Sequence, residues 1–269
     1  MIEVKDRVPT YPGRMKLSRA DGTVEYVTME RADAPTEEGT PINKALFDSI
    51  KADMGLAEDV TVYVSTAGSD ATGDGTAAAP FSTIQHALNS IPKNLNGHIV
   101  NINIAAGTYP EDVIVENFSA ARIVFVGAAD AAVTINKLDI RNCTLNFEFV
   151  HITVSGGGIY GMFGAKFYLG PNTKLTCNGG SYGVYARYNC TFSLMGDVTI
   201  NNTSGQAIRA GSACHVYVHN LSGTGNKVGL YAGGGIIQCG TKTLAATTEY
   251  TTSAGGRIYA NGQSETDKY

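Results

Sequence analysis

An all-β solenoid, a stack of short β-coils, is the fold class this sequence predicts, and three observations predict it. The first is a period. His98, Ala121, Cys143, Ala165, Cys190, Cys214 and Cys239 recur at steps of 23, 22, 22, 25, 24 and 25 residues, which sets coils of about 22–25 residues. The second is alternation: most of these anchors open a stretch of period two, as in Val100-Ile102, Ile123-Phe125, Leu145-Phe147, Phe167-Leu169, Phe192-Leu194 and Val216-Val218. The third is a pattern that returns late in four repeats: Gly158-Ile159-Tyr160, Gly183-Val184-Tyr185, Ala207-Ile208-Arg209 and Gly229-Leu230-Tyr231. A fixed period with period-two alternation inside it describes backbone windings stacked on one another.

Composition agrees. Of 269 residues, 16% are charged and 43% hydrophobic, with 32 glycines, which suits many short strands joined by tight corners. The net charge of −4 offers no basic footprint for nucleic acid. No apolar run is long enough to insert into a bilayer. Residues Met1 to Pro9 lack the apolar core of a secretory signal, so assembly in a cytoplasm is expected.

Five cysteines are present, and Cys143, Cys190, Cys214 and Cys239 head repeats. Equivalent side chains in stacked coils lie about 4.8 Å apart. These cysteines therefore read as a buried column of free thiols acting as small apolar groups. The other reading, a disulfide ladder, conflicts with the odd count and the missing export signal.

Two regions stand apart by composition. Residues 1–57 carry more charge, four prolines and no coil period; residues 58–269 hold the repeats. In the first region Thr23 to Thr28 alternates after a turn at Asp21-Gly22 and predicts a strand. Thr40-Pro41 predicts a helix start, with Ile42, Leu46, Ile50 and Met54 as its apolar stripe. At the head of the second region, Val60, Val62 and Val64 share one face of a strand. A polar loop, Ala67 to Thr76, follows. Ile84, Ala87, Leu88 and Ile91 then give a helix near 82–91, stopped by Pro92. Its place before the first full coil makes it a cap, which a solenoid needs because its first winding otherwise exposes core and unpaired edges.

Alternation sorts the side chains. Outward columns read Arg122, Thr144, Lys166, Thr191, His215, then Val124, Asn146, Tyr168, Ser193, Tyr217, and on the later strand Tyr160, Tyr185, Arg209, Tyr231. A tyrosine offers an apolar face and a hydroxyl in one rigid group. The ladder of Tyr160, Tyr185, Arg209 and Tyr231, with Tyr168 and Tyr217, thus has two readings: a track for a glycan, or a contact between copies of the chain.

Catalysis finds little to work with. Glycoside hydrolysis uses two facing carboxylates, and between Cys143 and Cys239 the only acids are Glu148 and Asp197, two repeats apart. A two-coil offset is close to 10 Å, so Glu148 and Asp197 are catalytic candidates only against the reading of two solvated surface acids. Asp70 and Asp74 in the glycine-rich loop are candidate Ca²⁺ ligands, against turn residues that hydrogen-bond their own backbone. No cofactor is expected.

Two stretches resemble known families. Asp74-Gly75-Thr76 with Pro80 to Leu88, Ala106-Gly107-Thr108-Tyr109-Pro110-Glu111-Asp112-Val113-Ile114-Val115, and Ile123 to Gly127 are similar to the opening of pectate-lyase-like proteins, pectin methylesterases among them. The resemblance implies a right-handed parallel β-helix. The aspartate-bearing motifs of the methylesterases are missing, and there is no Trp; Gln206 and Arg209 read as coil surface. The second stretch, Val4 to Thr10 with Arg31 to Ala45, resembles the leader of bacteriophage tail and baseplate appendage proteins, tailspikes and fibres. It implies that residues 1–57 attach the chain to other tail or baseplate proteins of a virion, that the assembly is a homotrimer, and that host-surface glycan is the external partner. The alternatives are a tailspike-like depolymerase with its active site between subunits, and a bacterial carbohydrate-binding module.

Overall fold

The structure is a computed structural model that describes residues 14–18, 22, 24–28, 55–119, 122–261 and 263–265. The chain divides into two compact units, Met1–Met54 and Gly55–Tyr269. In the first, β1 (Arg14–Ser18) and β2 (Val24–Thr28) pair antiparallel, Arg14 opposite Thr28. Gly22 takes φ 84° in the connection, a value glycine adopts without a Cβ clash. The expected strand is present; the helix expected from Thr40 to Met54 lies outside the described residues.

The second unit is a right-handed parallel β-helix of seven complete turns, opened by β3 (Val60–Val64) and the helix α1 (Ile84–Asn89). Each turn has three faces. The first face stacks β3, β4 (Ile99–Ile104), the starts of β6 (Arg122–Arg141) and β7 (Thr144–Met162), β8 (Lys166–Leu169), and the starts of β11 (Thr191–Asn201), β13 (His215–Ser222) and β15 (Ile236–Lys242), then β17 (Arg257–Ala260). The second face stacks the start of β5 (Gly107–Glu116), the middles of β6 and β7, β9 (Lys174–Asn178), and the later parts of β11, β13 and β15. The third face stacks the ends of β5, β6 and β7 with β10 (Tyr182–Arg187), β12 (Gln206–Ala210), β14 (Asn226–Gly233) and β16 (Ala246–Ser253). A short antiparallel strand, β18 (Gln263–Glu265), pairs with β17.

Of the seven anchors, Ala121 lies outside the described residues, and five of the other six fall in one file: Ile99 pairs with Arg122, Ile123 with Leu145, Thr144 with Lys166, Lys166 with Thr191 and Thr191 with His215, so His98, Cys143, Ala165, Cys190 and Cys214 are equivalent. Cys239 does not join it. It pairs with Val218 inside the first face, and Ile236 is the partner of His215, which makes Gly235 the equivalent of Cys214. The last corners are shorter, and the step from Cys214 is 21 residues rather than 25. Any small apolar residue fits an inward position, so a cysteine there mimics an anchor.

The interior is continuous. Phe125, Phe147, Phe167 and Phe192 run through four successive coils with ring centroids 4.9, 5.5 and 5.3 Å apart in edge-on contact. Such pairs add to the burial of each ring, itself worth roughly 1.5–3 kcal/mol. Phe192 needs room, and Gly161 supplies it: a Cβ there would lie 2.4 Å from the Phe192 ring. The five thiols are free and buried; Cys177, enclosed by apolar neighbours, is pushed up to about 12, and burial takes Cys143 to about 11. The adjacent Cys190 and Cys214 share a hydrogen bond that raises the first and lowers the second to about 7.

The cap at the front is held by side chains standing in for backbone. Thr83 Oγ1 accepts from the His86 amide at 3.1 Å, capping α1. Glu111 from β5 accepts from the amides of Ile84 and Gln85 at 2.8 and 2.9 Å. Gln85 then pairs with Ile114 through both amide atoms, at 2.8 and 3.3 Å, as a neighbouring strand would. Thus α1 covers the strand edge that the first winding leaves open.

Candidate binding site

The third face carries the one column in which aromatic and cationic groups stack over several coils. Backbone pairing puts Tyr185 beside Tyr160 on one side and Arg209 on the other, and Tyr231 beside Arg209. Their inward neighbours Ile159, Val184, Ile208 and Leu230 are fully buried and pin the strands to the core. The side chains make their own stack. Tyr160 and Tyr185 rings lie 5.9 Å apart, and Tyr182, three residues before Tyr185, packs on both at 6.0 and 4.8 Å. The Arg209 guanidinium sits between Tyr185 and Tyr231, 4.8 Å from each ring, and donates from Nη1 to the Tyr182 hydroxyl at 3.3 Å. At the other end Lys137 Nζ lies 4.5 Å from the Tyr160 ring. Burial, then the Tyr182, Asp139 and Tyr185 neighbours, raises the Tyr160 phenol above its ordinary value, so it stays neutral.

The column continues toward the cap into charge. Asp139, opposite Tyr160, is buried at 5% exposure and accepts from Lys137 at 3.1 Å and Arg141 at 2.9 Å; Arg141 also reaches Glu116 at 3.3 Å. Beyond this cluster the balance changes. From Gly158 to Gly233 the third-face strands hold Arg187, Arg209 and Lys227 and no acid. Among the described residues, the four buried side-chain polar atoms without a protein partner are Asp139 Oδ1, Arg141 Nε, Gln206 Oε1 and Arg209 Nε. All four belong to third-face strands.

Sequence reasoning placed Tyr160, Tyr185, Arg209 and Tyr231 together, and the structure brings them together. Tyr168 and Tyr217 stand elsewhere. They lie in a first-face column, Val124-Asn146-Tyr168-Ser193-Tyr217, with Ser193 between them. Val124 and Asn146 in that column are buried rather than exposed. The sequence did not single out Tyr182, Lys137 and Asp139; Tyr182 sits three residues before the ladder position, and the coil of Lys137 has no Gly-Ile-Tyr pattern to flag it. Nor did it find Phe163 and Tyr188, which stack at 5.4 Å on the corner between third and first faces, 59% and 42% exposed. Both have left-handed backbone, φ 56° and 61°, where the preceding corner uses Asn142. A bulky residue just before Gly164 or Asn189 was the available signal.

The two carboxylates do not meet. Glu148 closes a first-face strand opposite Val126, and Asp197 opens a second-face strand two coils further on, accepting from Asn220 at 3.0 Å. Asp197 borders an open groove of 400 Å³ with His151, Lys174, Thr176, Thr199 and Asn220, in which it is the one carboxylate. His151 bonds Thr176 Oγ1 at 3.0 Å and no carboxylate. In the glycine-rich loop, Asp70 accepts from the Ser82 and Thr83 amides at 2.8 and 3.1 Å and from Thr83 Oγ1 at 2.7 Å. Burial works against ionisation there, but these bonds prevail and lower its pKa. Asp74 accepts from the Thr76 amide at 2.9 Å, which lowers it too. Among the described residues no three His, Cys, Asp or Glu side chains gather as metal ligands.

The arrangement is suited to binding: rings and hydrogen-bonding groups recur along the stack. No family model, no curated protein and no solved structure matches the chain.

Proposed function

We propose that this protein is a non-catalytic appendage of a phage-type virion tail, in which residues 1–57 join tail or baseplate proteins and the third face of the β-helix contacts a host-surface glycan. One observation carries the reading: the column from Tyr160 to Tyr231 stacks aromatic and cationic groups over four coils, and the carboxylate at its cap end, Asp139, is already engaged by Lys137 and Arg141. Sugars present C–H faces and hydroxyls, which tyrosine meets with its ring and its phenol. The attachment role and a homotrimeric assembly rest on the resemblance of residues 4–10 and 31–45. Three copies would multiply weak contacts through effective concentration.

The test joins binding to product analysis. Host-surface glycan titrated into the full chain should bind without releasing reducing ends, and Tyr185→Ala should weaken binding by about tenfold. Release of new reducing ends, abolished by Glu148→Gln or Asp197→Asn, would establish the depolymerase instead. A second reading is favoured by the four unpaired polar atoms on this face: the same column buried against another copy. It predicts that Tyr185→Ala lowers the oligomeric mass in light scattering and leaves glycan binding per chain unchanged.

A further inference from the structure

We infer that the third face selects acidic glycans, with Arg209 and Arg187 as the residues that read a sugar carboxylate; this rests on the glycan-binding role proposed above. Three observations lead there. The first is charge. Arg187 and Arg209 make no ion pair among the described residues, and the acids on the flanking third-face strands are engaged elsewhere: Asp139 and Glu116 by Lys137 and Arg141, Asp112 by Asn136, and Glu249 by Lys242. The third-face strands between Gly158 and Gly233 carry Arg187, Arg209 and Lys227 and no acid, so this stretch is locally cationic although the whole chain carries a net charge of −4. The second is geometry. The Arg209 Cζ lies 4.8 Å from the rings of both Tyr185 and Tyr231 on the flanking strands, and its Nε is buried, which leaves its terminal Nη edge as the part a ligand can meet. That edge is a planar fork of N–H donors, matched to the two oxygens of a carboxylate. The third is support. Arg209 is held by three ring contacts and the Tyr182 hydroxyl, and Arg187 lies 4.3 Å over the Tyr188 ring. The Arg209 guanidinium is thus held in place before a ligand arrives, which lowers the ordering cost of binding.

A neutral glycan would meet the same rings and hydroxyls without the ionic contact. The comparison therefore needs one oligosaccharide in two forms: carboxylate-bearing, and with its carboxyl groups reduced to primary alcohols. Titrated into the full chain, the acid form should bind about tenfold more tightly, the gain typical of a charge-assisted hydrogen bond. The difference should shrink as salt is raised. Arg209→Gln should remove most of the preference, weakening the acid form far more than the reduced form. Equal affinity of the two forms for the unaltered protein would overturn the selectivity while leaving glycan binding intact. Failure of both forms to bind, where a neutral host glycan binds, would overturn it as well. If no glycan of either kind binds, the underlying reading falls and this one with it. The first comparison needs no variant, so misfolding of Arg209→Gln cannot obscure the result.

Discussion

The second and third faces of the solenoid share a backbone and an interior, yet their outward chemistry differs. On the second face Thr108, Thr134, Thr153, Thr176, Thr199 and Ser222 form a file through six coils. These side chains are short and find partners close by: Thr199 meets Ser222 at 3.0 Å, Ser222 reaches the Val198 carbonyl at 3.4 Å, and Thr176 meets His151 at 3.0 Å. The third face stacks long side chains whose rings pack together while four buried polar atoms stay unpaired. A repeating backbone thus sets where groups stand, and side-chain length decides whether they are available to a ligand.

Substitutions can test that contrast. The largest effect should come from what the faces share. Phe147→Ala opens the aromatic interior between Phe125 and Phe167, and should cost about 3–5 kcal/mol in denaturant unfolding. Protection of amides on the second and third faces should fall together; loss on one face alone would mean that the faces are energetically separate. Next in size is Tyr185→Ala, with its expected tenfold loss of glycan affinity, set beside Thr199→Val, which should leave affinity unchanged. Equal losses would erase the distinction drawn here. In stability, Thr199→Val removes one exposed-edge hydrogen bond and should cost no more than about 1 kcal/mol. Smaller still is Phe163→Asn. Asparagine tolerates left-handed backbone, and the relief of about 1 kcal/mol offsets a stacking contact of similar size, so the melting temperature should barely move.

The last test lies off both faces, in the loop before the cap. The pKa of Asp70 is lowered from 3.8 in the folded protein, so its contribution is present above that value and lost as pH falls through the lowered folded one. The stability gap between the unaltered protein and Asp70→Asn should hold steady near neutral pH and close on acidification below 3.8. A gap that widened in acid would reverse the assigned direction.

How much of this was legible beforehand depends on the scale of the signal. The period and the inward file of Ile159, Val184, Ile208 and Leu230 could be read because burial imposes the same choice on every coil. The column of Tyr160, Tyr185, Arg209 and Tyr231 followed from that file by alternation alone. Cys239 was misplaced because corner length is set by turn geometry, which leaves no apolar mark. Tyr182 was missed because it reaches the column by the length of its side chain, not by its register. Glu148 and Asp197 were known to be two coils apart, but only the three-sided cross-section puts them on different faces.

The bonds from Glu111 and Gln85 also bear on how the chain acquires its shape. A six-residue helix has no stability of its own in water, and its partners lie 26 to 29 residues further along. During synthesis this piece must therefore wait for β5 to emerge and dock.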